Sequence, residues 1–473
     1  MLAPQLAAWA VGPLSLPDEV THAALRHLLD GVGNAVAGAR AGAALPALTV
    51  ATGLGGPAEA TILGSATRVS APAAGLANGT LVHALDFDDT HAGGLVHSTA
   101  VVLPAAFAVG EQVGASGREV LEAAVVGYEI ACRVAAAAPN GFHAGGLHAT
   151  MVAGVFSSAA VAARLMGLDA ATTTHALGIA GSQAGGLLAF LATGASTKQL
   201  HPGFASQSGI LAARLAAAGA TGPESVFDGP HGVYDALAPA SVAAGTVDTG
   251  VLLRGLGSDD PADWETTRIG IKPWPTCQLA HVTMAAAQLA LAEAGVDAGE
   301  VTAIHAQVHP DSATVVCAPD RDLTRPASAY AAKFSLPWSV AALLIDGAVG
   351  VDTYAETNLS RSEISELAAK VSWEITAGDG VAADAAGHVA LTLRDGRTVV
   401  GRLDRSPGGG SNPLSDAGLF TKFAGNVGEL ADDLASAVRA LPDSGDLTVL
   451  LTLAARAAEH PVPAPSPRTE ASA

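Results

Sequence analysis

The chain has 473 residues, 49% of them hydrophobic and only 14% charged, with a formal net charge of −20. That length exceeds one ordinary core, so two domains or one large helical body with an inserted piece are expected, and the apolar content excludes a disordered chain. The acidic balance offers no basic surface to nucleic acid or an anionic membrane, yet it leaves room for an anionic substrate, because a few cations in a pocket outweigh a distant negative surface.

In chain order, the opening "MLAPQLAAWAVGPLSLP" is apolar but lacks a basic n-region, so no signal peptide is expected. Residues 17–45 read as one helix: Leu25, Leu28 and Leu29 form an apolar stripe, and "GVGNAVAGARAG" lets another backbone approach closely. From about 73 to 220 the chain reads as Ala-rich helices broken at Gly and Pro, a texture that packs closely through small side chains. The run "ATMVAGVFSSAAVAARLMGL" is long enough to cross a membrane, but serines and Arg164 interrupt it, so it reads as a buried core helix.

Near residue 268 the texture changes. "VTAIHAQVH" alternates with period two and predicts a strand, and "HVALTLRDGRTVVGRL" predicts a hairpin turning at Asp395-Gly396. Helices are expected at 281–296, 335–346 and 360–370. "SPGGGSNPLSD" reads as a loop, residues 424–457 as helical again, and "PVPAPSPRTEASA" as a loose tail. The expected fold is mainly α. A large all-helical domain spans 1–267, a smaller α+β domain 268–403, a return to the helical domain 404–460, and the tail 461–473.

Three cysteines, Cys132, Cys277 and Cys317, have no metal-knuckle spacing, and their odd, sparse count suits a reducing, cytoplasmic compartment. The chemistry concentrates in "DFDDTHAGGLVH", residues 86–97, which holds Asp86, Asp88, Asp89, His91 and His97. Asp88, Asp89 and His91 offer oxygen and nitrogen ligands to a metal, but no His-x-x-x-His or Cys pair supports them. "DFDD" also matches the short acid motif of class II terpene cyclases, which need aromatic pockets that a chain with 4% aromatics supplies poorly. The third reading is metal-free acid–base chemistry.

Lysine usage bears on that third reading, which would draw on Asp86, His97 and distant lysines. Only five occur, Lys198, Lys272, Lys333, Lys370 and Lys422, so a compact titratable ammonium has a reason to be where it is used. Lys198 in "GASTKQLHPG" and Lys272 in "GIKPWPTC" sit in Gly- and Pro-punctuated turns, where pockets form. His91, His97, His143, His148, His201 and His281 lie near the same junctions and titrate near neutrality.

The stretches "LLDGVGNAVAG", "SAPAAGLANGTLVHALDFDDT", "TKQLHPGFASQSGILAA", "IKPWPTCQLAH", "AKFSLPWSVAALLIDG" and "TLRDGRTVVGRL" together resemble the MmgE/PrpD family, in the family's order, from about residue 20 to 460. That family includes 2-methylcitrate dehydratase, cis-aconitate decarboxylase and iminodisuccinate epimerase. The resemblance implies a homodimer whose α+β part is a lid over the helical domain, a small carboxylate or carbonyl substrate, and no metal or other cofactor.

It further implies Lys198, Lys272, His97 and His148 as catalytic residues, with Asp86, Thr90, His91, His143, Cys277, His281 and Trp338 around the substrate. Departures are Trp338 where Tyr is common, Gln199 where Arg is common, Cys277 where the decarboxylases carry His, and no basic residue before "GFH". These point to a less cationic pocket than a tricarboxylate prefers. The expected reaction is proton removal beside a carboxylate or carbonyl with loss of water. Decarboxylation, epimerisation or a tailoring isomerisation of a less anionic metabolite is the alternative, and a non-catalytic ligand-binding protein is the alternative of another class.

Overall fold

The computed structural model describes residues 1–377 and 380–459. The fold is mainly α. The N-terminal part is a stack of helices, including Asp18–Arg40, Ala71–His83, Thr99–Val113, Gly117–Ala136, Ala149–Leu165 and Thr197–Ala217. Small residues let these axes come close. Helix Ala71–His83 is buried along its whole length and meets Thr197–Ala217 backbone to backbone: a Cβ at Gly79 would lie 2.7 Å from the Gly203 amide nitrogen. Gly79→Ala is therefore expected to lower the urea midpoint, at a cost of roughly 1–3 kcal/mol from overpacking. An unchanged midpoint would mean that the two helices separate freely.

The helix expected over 17–45 ends at Arg40. Gly42 adopts a left-handed φ of +62°, and Pro46 opens the next helix, Leu45–Leu54, bent 95° from the first. The apolar stripe alone did not reveal that stop. The run beginning "ATMVAGVF" is the helix Ala149–Leu165, mostly buried among its neighbours, and among the described residues no single helix is long and apolar enough to cross a membrane.

The later part holds a four-stranded sheet in the order Val371–Ile375, Val301–Val308, Gly387–Leu393, Thr398–Leu403. The first pair is parallel and the others are antiparallel. Both strands of the expected hairpin form, and Gly396 takes φ +86° at its turn. The strand Val371–Ile375 was not anticipated, because "VSWEI" is short and follows a helical stretch directly. Helices Gln278–Ala294, Leu336–Asp346 and Ser362–Ala368 occupy the predicted places.

Among the described residues two large apolar cores result, with a small third cluster at Ala37, Leu85 and Phe87. One gathers side chains from Ala3 to Ile271 together with Leu419, Phe423, Leu434, Val438 and Leu450 from the C-terminal helices. The other is confined to residues between Ala280 and Leu393. A two-residue antiparallel ladder joins the sequence halves, Thr90–His91 pairing with Ile269–Gly270. It carries the chain away from the Asp-rich stretch. The expected tail, 461–473, lies outside the described residues.

Candidate active site

Helix Ala71–His83 delivers the chain into a tight turn at which Asp86 adopts φ +53°, a region that side-chain-bearing residues seldom occupy. Four of the five lysines hold this turn. Lys198 Nζ donates to Asp86 Oδ1 at 2.7 Å, and Lys272 Nζ donates to the same oxygen and to the Asp86 carbonyl, each at 3.0 Å. Lys333 Nζ donates to the Leu85 carbonyl. Lys422 Nζ reaches the Phe87 carbonyl and Asp30 Oδ1, both at 2.6 Å. A rotatable ammonium with three donors suits converging carbonyl and carboxylate oxygens better than a planar guanidinium. The fifth, Lys370, binds the Val301 carbonyl away from this turn.

All four clamping lysines are buried. Burial works to raise the Asp86 carboxyl, but the Lys198 and Lys272 ammoniums outweigh it and hold it well below the usual carboxylate range. Burial likewise opposes the Lys198 charge, and Asp86 reverses that effect and raises the lysine. Lys333 has no carboxylate of its own, so burial pulls it down to about 7.

The Lys333 shift has a consequence for stability. Between pH 7 and about 10 the unfolded lysine keeps a proton that the folded one gives up, so this group makes the fold more stable as pH rises through that window. Lys333→Met is expected to flatten that rise, read as urea midpoints of both proteins from pH 6.5 to 10. Parallel curves would place the Lys333 titration elsewhere.

Beside the clamp lies a group of imidazoles. His97 Nδ1 sits 2.8 Å from the Asp89 carbonyl and 3.2 Å from Thr90 Oγ1. A carbonyl only accepts, so Nδ1 carries the hydrogen and Nε2 keeps its lone pair. His83 Nδ1 lies 2.8 Å from Asp88 Oδ2, which sets the same tautomer. His148 Nδ1 pairs with His201 Nδ1 at 3.0 Å. Burial, helped by Lys198, pushes His148 well below its ordinary value and His143 down to about 4. Burial also lowers His97 strongly, although Asp88 opposes it.

A cavity of about 570 Å³ opens over these groups, walled by residues 86–198 on one side and 272–383 on the other. Of the residues singled out from sequence, the structure brings Asp86, Thr90, His97, His143, His148, Lys198, Lys272 and Cys277 to its wall.

Three others are not there. His91 Nε2 pairs with Glu265 Oε2 at 2.8 Å and faces a separate cavity with Arg133 and Arg268. The strand pairing of Thr90–His91 sends its side chain to that side. His281 is fully buried behind the wall, its Nε2 3.2 Å from the Thr276 carbonyl. Trp338 is fully buried in the second core, its ring tilted against Tyr354 with centroids 5.3 Å apart. Its difference from Tyr therefore removes no donor from this cavity. Gln199 is also not on the wall; it binds the Ala84 carbonyl at 2.8 Å.

The metal set suggested by sequence disperses. Asp88 faces His83, Asp89 receives the Thr99 amide at 3.0 Å, and His91 turns to Glu265. The cyclase reading also fails on geometry. Asp88 and Asp89 are fully buried and engaged, and the aromatic residues on the wall are Phe190 and Phe334. Sequence reasoning missed His83 and did not single out His201 or Lys333 as site residues. The signal for His83 was its place three residues before Asp86, at the end of an apolar helix.

A carboxylate fixed between two ammoniums shares this cavity with His97, His148 and several apolar side chains, an arrangement with the groups needed to bind an anion and to carry protons. The chain belongs to the MmgE/PrpD family: it matches the family's N-terminal domain over residues 5–244 and its C-terminal domain over 274–441. It is 27% identical to a cis-aconitate decarboxylase of Aspergillus terreus over 93% of this chain and 92% of that protein. It is 30% identical to the cis-aconitate decarboxylases of Homo sapiens and Mus musculus, over 80% of this chain and 78% of each.

Proposed function

We propose that the protein is a carboxy-lyase acting on an unsaturated acid with fewer carboxylates than cis-aconitate. The observation that carries this reading is the Lys198–Asp86–Lys272 arrangement facing the cavity beside His97 and His148. The similarity to cis-aconitate decarboxylases supports CO2, rather than the expected water, as the leaving group.

The charge on the wall argues for the substrate class. Its lysines, Lys198 and Lys272, face two carboxylates, Asp86 and Asp311, so a tricarboxylate finds little surplus positive charge. Leu95, Leu188, Phe190, Val315 and Phe334 suit an apolar portion instead. Cys277, where the decarboxylases carry His, is the departure that does line the cavity.

In the proposed step, Lys198 and Lys272 hold the retained carboxylate. The carbon–carbon bond to the second carboxylate breaks, CO2 leaves, and the electron pair moves into the adjacent unsaturation. The ammoniums stabilise the charge that builds on the retained carboxylate oxygens. A bound anion offsets the lysines and draws a proton onto His97 or His148, and that imidazolium then protonates the carbanion. Loss of water is a second reading. It is favoured by His97 Nε2, which in the free site is a base rather than an acid.

Proton NMR in D2O decides between them, with cis-aconitate, unsaturated mono- and dicarboxylic acids, citrate and 2-methylcitrate as the panel. The expected result is CO2 loss with one deuterium entering the product, fastest on an unsaturated dicarboxylic acid. Water loss from the hydroxy acids, with the unsaturated acids untouched, would reject the carboxy-lyase reading.

A further inference from the structure

His83 has no part in the reaction proposed above, yet it is almost fully enclosed beside the cavity, 1% exposed. Its Nδ1 is committed to Asp88, and its Nε2 is buried with no hydrogen-bond partner among the described residues. A buried ring nitrogen left without a partner forfeits its hydration and calls for a ligand. The nearest rings are those of His97, with centroids 4.7 Å apart, and His148 at 5.8 Å. One ligating atom from each of the three lies within 4.8 Å of one from each of the others.

The outer atoms of these rings are arranged as they are behind metal-ligating histidines. Asp88 receives the His83 Nδ1–H, the Asp89 carbonyl receives the His97 Nδ1–H, and His201 holds His148 Nδ1. The carboxylate and the carbonyl leave the Nε2 lone pairs of His83 and His97 free for an ion, and the His148–His201 pair does the same for His148 when His148 Nδ1 is the donor. From these contacts we propose that His83, His97 and His148 form a binding site for a zinc-class divalent cation, and that its occupancy blocks the acid–base reaction. Three imidazole nitrogens exclude calcium and magnesium, which take oxygen ligands, and suit zinc or cobalt.

Metal–nitrogen bonds of about 2.0–2.1 Å require the three nitrogens to draw to roughly 3.3 Å apart. Rotation of the rings towards the ion closes that distance. The fourth position faces the cavity, where His97 and His148 are on the wall. Asp88 adds a negative charge behind His83, while Asp86 is already matched by two lysines. Binding follows from the three rings alone; the blocking rests on the reading that His97 and His148 move the proton.

The test uses the full chain, stripped with a chelator and titrated with cobalt(II). One equivalent is expected to give the intense visible bands of four-coordinate cobalt, and zinc should displace it. His83→Gln and His148→Gln are each expected to weaken cobalt binding at least tenfold, whereas His143→Gln, on the same wall, should leave it within twofold. His83→Gln also unpairs Asp88, so His148→Gln carries the test if the first variant fails to fold. Absence of these bands, or their survival in both variants, overturns the site and leaves the proposed reaction untouched. One equivalent of zinc should also abolish turnover of the acid identified by NMR, reversibly with chelator. Turnover that rises instead overturns the blocking and, with it, the metal-free reaction, while the site stands.

Discussion

Asp86→Ala is expected to destabilise the protein more than any other single change at the site. The carboxylate is the shared partner of Lys198 and Lys272, and all three are buried. Removing it leaves two ammoniums in a space built for one negative charge, and breaking a buried pair in this way costs about 3–5 kcal/mol. Against a total stability of roughly 5–15 kcal/mol, such a loss brings the fold close to its threshold. Asp86→Asn should fall between the two, because asparagine tolerates the left-handed backbone and keeps an accepting oxygen but not the charge.

The pH dependence has a definite sign. The folded carboxyl is held well below its unfolded value, so its contribution is present above the ordinary carboxylate range and is lost as pH falls towards the folded value. Urea midpoints of the native protein and Asp86→Asn should therefore converge on acidification below about pH 4. Equal midpoints at neutral pH would show that the clamp does not depend on this charge.

The clamp also shows what the sequence could reveal about the site. The rarity of lysine was legible, and it pointed to Lys198 and Lys272. That Lys333 and Lys422 close on the same turn was not, because the groups they bind on that turn are backbone carbonyls 248 and 335 residues away, and a carbonyl leaves no mark in the sequence. Period-two alternation and an Asp-Gly turn were enough to place the hairpin 387–403, since both are local signals. His91 and Trp338 were assigned to the pocket by their position in motifs. Side-chain direction there is set by a two-residue ladder and by packing in the second core, neither of which has a periodic signature. His83 was overlooked for the opposite reason: it ends a largely apolar helix and reads as one more core position.

His148→Ala and His97→Ala are each expected to lower kcat by about 10²–10⁴-fold on the true substrate, the usual weight of a positioned acid–base group. The two should differ in what else they change. His148 lies on the cavity wall and its inner partner is another histidine, so its loss strands no charged group. Its variant should fold normally and lose kcat with KM nearly unchanged. His97 also ties Thr90 and the Asp89 carbonyl to the start of the helix at Thr99, whose amide binds Asp89. Removing that ring loosens the turn that carries Asp86, so His97→Ala should raise KM as well as lower kcat. The measurement is steady-state kinetics beside a thermal melt of each variant. Near-native turnover in both would take the proton transfer away from these histidines. Lys198 and Lys272, both engaged by Asp86, would then share the wall with His143, Thr90 and Cys277 as the remaining proton carriers.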